Sequence, residues 1–290
     1  MNALTLMTVY GFLADCGAGV LAVTGLVGLL RAPNKVKLIL AIIAAICMVC
    51  GVVTLSCAIG GVTRTFTIAT NAVHGSPKSL EFVFAILGFI VAVAYAIALV
   101  RSEDTRVHKA FEVIAILVGV ALAATSGVVA SIGHITWTSI VLPAAYLCNA
   151  LAIGVAVFLC IYALVGKQAA DAQESAEDDE LAVAPNSKLL KIMILIAFVI
   201  LVLQAISLVV LVALAEFIGD QVLFWLGCMV VGTLVPVVCT YVYQKQRLVA
   251  FVSLICLVIG GYCLRIYASS LGAAGLSLIA SAIARSGGAG

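Results

Sequence analysis

The chain contains 290 residues, of which 65% are hydrophobic and only 10% are charged. Soluble domains carry about 25% charged residues, so this composition excludes an ordinary water-soluble domain and predicts a polytopic α-helical membrane protein. The formal net charge of +2 is too small to indicate binding of nucleic acid.

Charged and turn-forming residues divide the sequence into eight apolar segments, each long enough to cross a hydrocarbon layer of about 30 Å. No basic region precedes the first segment, as it would in a cleavable secretory signal, so we expect this segment to remain as a membrane helix. The sequence predicts an all-α fold in one integral-membrane domain over 1–290, with a partly flexible C-terminal tail at 272–290. The predicted spans are 5–30, 37–60, 80–100, 108–132, 138–165, 189–215, 219–243 and 248–270.

Basic residues are unevenly distributed between the two sides of the predicted bundle. Eleven of the fifteen Lys and Arg residues lie in the connections between spans one and two, three and four, five and six, and seven and eight, or in the first turn of the span that follows. The positive-inside rule places this side in the cytoplasm, so both termini are predicted to lie outside. Segment 167–187, which carries six carboxylates, is then a solvated cytoplasmic loop.

The polar residues that topology does not explain fall in one layer near the predicted outer side. Counted at 1.5 Å per residue from the basic cytoplasmic ends of their spans, Arg265 lies at roughly 27 Å, Glu81 at roughly 30 Å and Asp15 at roughly 24 Å. Arg64 and His74 belong to the outer loop between spans two and three.

This polar layer has two interpretations. Its members are either interfacial groups that reach water and pair with one another, or they line a polar pocket that opens into the lipid. In the second case Arg265, Arg64 and Glu81 would form hydrogen bonds and exchange protons with an amphipathic ligand.

Redox cofactors are not expected within this chain. A membrane haem is commonly held by two histidines that face each other, whereas His74, His108 and His134 all lie at or beyond span ends. The ten cysteines fall in apolar segments, including Cys47 and Cys50 within one span, and are expected to be small buried hydrophobes. We therefore predict neither haem nor an iron–sulfur cluster here.

Three stretches resemble the membrane-anchor subunit of the bacterial dimethyl sulfoxide reductase family. They are "CAIGGVTRTFTIATNAVHGSPKSLEF" at 57–82, "TWTSIVLPAAYLCNALAIGVAVF" at 136–158 and "LVIGGYCLRIYASSLG" at 257–272. The residues that carry the resemblance are Gly60, Arg64, Phe66, Glu81, Trp137, Ser139, Pro143 and Arg265.

The resemblance implies an anchor in the bacterial cytoplasmic membrane that contributes no redox centre of its own. Such an anchor binds and oxidises menaquinol, and the electrons pass to a ferredoxin-like iron–sulfur subunit and then to a molybdopterin catalytic subunit. The depth of the polar layer places these partners on the outer face. The quinol-site candidates are Arg64, Glu81, Arg265, His74, Asp15 and Tyr262.

One departure from the family pattern concerns the proton acceptor. The family often carries a histidine before the glycine-containing turn, where this chain has Ala58, and Val62 replaces a common proline. Glu81 and His74 are the remaining candidates for accepting the quinol proton.

Two other classes of protein are alternatives to this hypothesis. A secondary transporter for a small solute predicts polar residues and helix breaks near the membrane midplane, whereas the span centres here hold mostly Ala, Leu, Ile, Val and Cys, with Gln204 as a minor exception. A purely structural membrane subunit would keep the outer charges paired and inaccessible to any quinone analogue.

Overall fold

The computed structural model describes residues 3–61, 64–65, 67, 70, 76–102, 104–132, 138–175, 187–214, 221–243 and 248–287. Within these residues the structure is helical, without strands, and eight helices are long and apolar enough to cross a membrane. The predicted all-α fold with eight spans is therefore confirmed. The helices are α1 (Ala3–Leu29), α2 (Asn34–Ile59), α3 (Pro77–Arg101), α4 (Thr105–Ser131), α5 (Thr138–Ser175), α6 (Ser187–Leu214), α7 (Leu223–Leu234 and Val235–Val242) and α8 (Val249–Gly287).

The ends of the apolar spans lie within four residues of their predicted positions. Two helices continue beyond their spans. Helix α5 runs to Ser175, so the first part of the predicted acidic loop is helical, and residues 176–186 lie outside the described part of the chain. Helix α8 runs to Gly287, so the backbone of the expected tail is largely helical, and its flexibility stays a prediction.

Local sequence sets several of the helix ends. Gly60 ends α2 in the left-handed conformation, with φ of 84°, which glycine adopts without the steric cost of a Cβ atom. Pro77 stands in the first turn of α3, where its missing N–H is not needed. Asp104 caps α4 by accepting a hydrogen bond from the backbone N–H of Arg106 at 2.8 Å.

Helices α1 and α5 form the centre of the bundle. Over an apolar stretch of 18 residues in each of them, 78% of the residues are buried, whereas the corresponding stretches of the other six spans are 28–39% buried. The two backbones approach so closely that a Cβ atom on Gly19 would overlap the carbonyl group of Ala150, and one on Gly154 would overlap the carbonyl group of Gly19. Small residues at such crossings permit the close packing that holds helices together in lipid.

Helix α7 is irregular. It is π-helical over Leu223–Leu234 and returns to α-helix just before Pro236. Its π-helical segment packs against α8, where Gly232 and Gly260 leave no room for a Cβ atom on either residue. The other proline within a span, Pro143, is accommodated inside α5 beside Gly127 of α4.

Large apolar side chains cover much of the outside of the bundle. Leu117, Leu195 and Val100 are 64%, 62% and 69% exposed, respectively. In contrast, several carboxylates, amides and basic groups are buried between the helices. This distribution suits a multi-pass protein whose outer surface contacts lipid.

Candidate functional site

Arg265 of α8 joins three helices inside the bundle. Its side chain is 12% exposed, and its Nη2 atom donates hydrogen bonds to Asp15 Oδ2 in α1 and to Ser126 Oγ in α4, both at 2.5 Å. An arginine in hydrocarbon is costly unless it is paired, and the Asp15 carboxylate supplies that pairing. Arg265 is therefore a buried, paired cation.

Two further residues fix the position of the guanidinium group. Its Cζ atom lies 5.0 Å from the centre of the Tyr146 ring in α5, which is cation–π distance. On α1, a Cβ atom at Gly11 would overlap the Arg265 side chain. Glycine at this position thus allows the cation to lie directly against the α1 backbone.

A second carboxyl group belongs to the same cluster. Glu81, in the first turns of α3, is 4% exposed and lies within electrostatic range of both Arg265 and Asp15. The Ser126 hydroxyl group lies beside both carboxyl groups. We call Tyr10, Asp15, Glu81, Ser126, Tyr146 and Arg265 the polar cluster.

The polar cluster has more hydrogen-bonding capacity than it uses internally. Buried polar atoms in proteins are nearly always hydrogen-bonded. Within the described residues, however, Asp15 Oδ1, Glu81 Oε1, the Tyr10 hydroxyl group and Arg265 Nε have no hydrogen-bond partner. Two acceptors, a donor and a hydroxyl group are therefore available to a small polar ligand.

A layer of amide and aromatic groups adjoins the cluster. Asn149 lies one turn after Tyr146 in α5, and its Nδ2 atom also has no hydrogen-bond partner among the described residues. Its Oδ1 atom lies against Gly261 of α8. The next residue, Tyr262, packs edge-on against Phe12 with 6.0 Å between ring centres.

Three of the six predicted site residues come together in the structure, namely Asp15, Glu81 and Arg265. Tyr262 lies beside the cluster rather than in it. Arg64 is exposed, and its Nη1 atom lies near Gly60. His74 lies outside the described residues.

The sequence interpretation missed Ser126, Tyr146, Tyr10, Gly11 and Asn149. A depth count on uncharged polar residues would have found two of them. Ser126 follows Arg106 by 20 residues, and Tyr146 precedes Lys167 by 21 residues, which is roughly 30 Å of helix in each case. Gly11 has no comparable signal, because its role depends on where α8 places Arg265.

A second buried ion pair lies toward the other end of the bundle. Lys37 Nζ in α2 is 3.3 Å from Glu112 Oε1 in α4, and the Tyr95 hydroxyl group in α3 donates to the same oxygen at 3.2 Å. Glu112 precedes Ser126 by 14 residues, or roughly 21 Å along α4. In the described part of the chain, none of these three side chains has a buried polar atom without a hydrogen-bond partner, which favours a structural role for this pair.

Residues 4–274 of the chain match the family described as "Polysulphide reductase, NrfD". Comparison with curated proteins gave no match, and comparison with solved structures gave none. Since the family match covers nearly the whole chain, the protein belongs to the NrfD family of membrane subunits, which is the anchor family of molybdoenzyme complexes. Proteins of this family generally partner with iron–sulfur and molybdopterin subunits.

Proposed function

We propose that the chain binds a quinol at the polar cluster, oxidises it and passes its electrons to an iron–sulfur partner subunit of a molybdoenzyme reductase. The observation that carries this proposal is the buried Arg265, which lies between two carboxyl groups and beside unused donors and acceptors. Membership of the anchor family supports the same conclusion.

The chemistry of quinol oxidation matches the groups available. A quinol releases two electrons and two protons as it becomes a quinone, so its site needs proton acceptors near the ring hydroxyl groups. Glu81 Oε1 is a buried acceptor without a hydrogen-bond partner among the described residues, and it would receive a proton from one hydroxyl group. The Arg265 guanidinium group would donate a hydrogen bond to a quinone oxygen.

The cluster also contains one carboxyl group more than it has cations. Asp15 forms an ion pair with Arg265, whereas Glu81 interacts electrostatically with the same guanidinium group. A carboxyl group in this position can hold a proton between its release from the quinol and its transfer to solvent. Lys78 lies one turn before Glu81 and is exposed. The nearby end of α3 is therefore the proposed route by which the proton reaches solvent. His74 stays the second candidate acceptor.

The finer features of the proposal come from the sequence resemblance. They are menaquinol as the bound substrate, no haem or iron–sulfur cluster in this chain, a bacterial cytoplasmic membrane, and ferredoxin-like and molybdopterin partners on the outer face. The terminal acceptor is reduced in the catalytic subunit. Assays of the purified complex with dimethyl sulfoxide and with polysulfide would show which of the two it reduces. Dimethyl sulfoxide is the substrate that the sequence resemblance implies, and polysulfide is the substrate in the name of the family.

The experiment that tests the site removes the buried ion pair as a unit. Replacing Arg265→Leu together with Asp15→Leu removes both charges of the ion pair. Glu81, a buried carboxyl group then left without a cation, holds a proton rather than a charge, so we expect the complex to assemble. Binding of a quinone analogue should weaken about 10- to 100-fold, because hydrogen bonds to charged groups contribute about 1.5–3 kcal/mol. Quenching of the analogue's fluorescence in membranes measures this affinity.

Arg64→Gln is the matched control, because Arg64 is a predicted site residue that the structure leaves exposed. Unchanged affinity in an assembled Arg265/Asp15 double variant would remove the polar cluster from the quinol site. Purification of the wild-type chain without any iron–sulfur partner would contradict the anchor function itself.

A further inference from the structure

An apolar groove lies on the outside of the bundle, between α2 and α3 and away from the polar cluster. Its volume is about 500 Å³, within the range of about 300–1,000 Å³ typical of ligand sites. Fully buried Ala41 and Ala92 form its floor, and half-exposed Ile42 and Ile97 form its walls. The small alanines create the groove, because larger side chains at those positions would fill it.

One end of the groove is basic. Arg101 lines it at the end of α3 and is exposed. Lys35 is exposed at the start of α2, three residues before Leu38 and seven before Ile42, so it lies on the same helical face as these two groove residues. Neither cation takes part in an ion pair within the described residues, and no carboxylate lines the groove.

The length of the groove matches one leaflet of a bilayer. It extends along α3 from Arg101 to Ala92, nine residues, which is roughly 13 Å of helix. One leaflet contributes about half of a hydrocarbon thickness of about 30 Å. A transmembrane helix of a partner would need a surface along the whole span, whereas an acyl chain that begins at a headgroup needs only this depth.

We propose that this groove is a binding site for an anionic phospholipid, with an acyl chain along the alanine floor and the phosphate group between Lys35 and Arg101. The predicted orientation places these cations at the cytoplasmic surface, where anionic lipids attract basic residues beside membrane helices. The site is independent of quinol chemistry, because no groove residue belongs to the polar cluster.

The test titrates the purified full-length chain in detergent with phosphatidylglycerol or phosphatidylcholine and counts bound lipids by native mass spectrometry. The wild-type chain should retain phosphatidylglycerol in preference to phosphatidylcholine. Lys35→Gln with Arg101→Gln should lose this preference, with affinity falling roughly fivefold for each cation removed. Lys188→Gln with Lys191→Gln is the matched control, because these two exposed lysines of α6 lie away from the groove.

A second variant tests the groove separately from its charge. Ala45→Leu with Ala96→Leu would fill the groove and should reduce phosphatidylglycerol binding while both cations remain. Loss of binding in both groove variants, with the α6 control unchanged, supports the site. Equal retention of phosphatidylglycerol in the charge variant, or full retention in the filled variant, would overturn it. Dimer formation through this face in wild-type samples would overturn it as well.

Discussion

Arg265 shows how a charge is kept inside the bundle. Breaking a buried ion pair by removing one partner costs about 3–5 kcal/mol, because the remaining charge is left without compensation. Asp15, Ser126 and Tyr146 each contact the guanidinium group from a different helix, so its charge is compensated from several directions. Glu81 Oε1 has no hydrogen-bond partner among the described residues, and this difference favours Glu81 over Asp15 as the proposed proton acceptor.

Glu81→Gln tests the proton acceptor. The amide has nearly the same shape as the carboxylate but cannot accept a proton, so we expect normal assembly and quinone-analogue binding with slower quinol oxidation. General-base catalysis contributes about 10²–10⁴-fold, so turnover should fall about 100-fold or more. The measurement is steady-state oxidation of a quinol analogue by the intact complex. Wild-type turnover in this variant would show that another group accepts the quinol proton, and His74 is the next candidate to test.

Gly11→Ala tests the contact between α1 and the cation. A methyl group at this position would overlap the Arg265 side chain and displace it from Asp15 and Ser126. We expect weaker quinone-analogue binding, by about tenfold, with the helical fold retained. Gly51→Ala is the control, because its added Cβ atom would meet its nearest neighbours at ordinary contact distances of 3.4–3.5 Å. Equal affinities for the two variants would show that close approach at Gly11 is unimportant.

At the scale of helices, the Lys37–Glu112 pair joins α2 to α4, and Tyr95 adds α3. Lys37→Met leaves Glu112 buried without its cation and should lower the free energy of unfolding by about 3–5 kcal/mol. Adding Glu112→Gln should recover most of this loss, since no buried charge then remains. Thermal unfolding in detergent measures both effects, with Lys188→Met as the exposed control. A single variant as stable as wild type would show that the pair contributes little.

The number and limits of the helices could be predicted because the span composition differs sharply from that of the connections. Hydrocarbon requires each backbone group to be hydrogen-bonded within its own helix, so long apolar segments have one available structure. Depth along a helix was also predictable, and it selected Asp15, Glu81 and Arg265 correctly as one layer. Depth does not determine the rotation of a helix about its axis. Contacts such as Gly11 with Arg265, or the pairing of Lys37 with Glu112, therefore required the packed structure.

The irregular winding of α7 is a further feature that the sequence did not indicate. A proline within a span, such as Pro236, indicates a local kink, whereas the structure is π-helical over the twelve residues Leu223–Leu234. The close approach of Gly232 to Gly260 depends on the partner helix, so composition alone could not reveal it. Within the described residues this irregularity is confined to one helix, whereas many transporters have paired broken helices.

At the scale of the whole molecule, the two buried charge clusters lie at different depths. They also differ in whether their buried polar atoms have hydrogen-bond partners. The Lys37–Glu112–Tyr95 group lies toward the predicted cytoplasmic end, and among the described residues none of its buried polar atoms lacks a hydrogen-bond partner. The polar cluster lies toward the predicted outer end, and two of its acceptor atoms, Asp15 Oδ1 and Glu81 Oε1, have no hydrogen-bond partner among the described residues. If quinol protons leave and electrons are consumed on the same side, oxidation moves no net charge across the membrane.

This electroneutral arrangement depends on the orientation of the chain, which can be tested directly. The positive-inside rule predicts a cytoplasmic 167–187 segment and outer termini, because eleven of fifteen basic residues lie on the side of that segment. Reporter fusions at 167–187 should therefore be active only with a cytoplasmic reporter, and C-terminal fusions only with a periplasmic one. In sealed spheroplasts, external protease should digest the iron–sulfur partner docked near the polar cluster. A protected partner would place electron transfer on the cytoplasmic side, and quinol oxidation at the polar cluster would then move charge across the membrane.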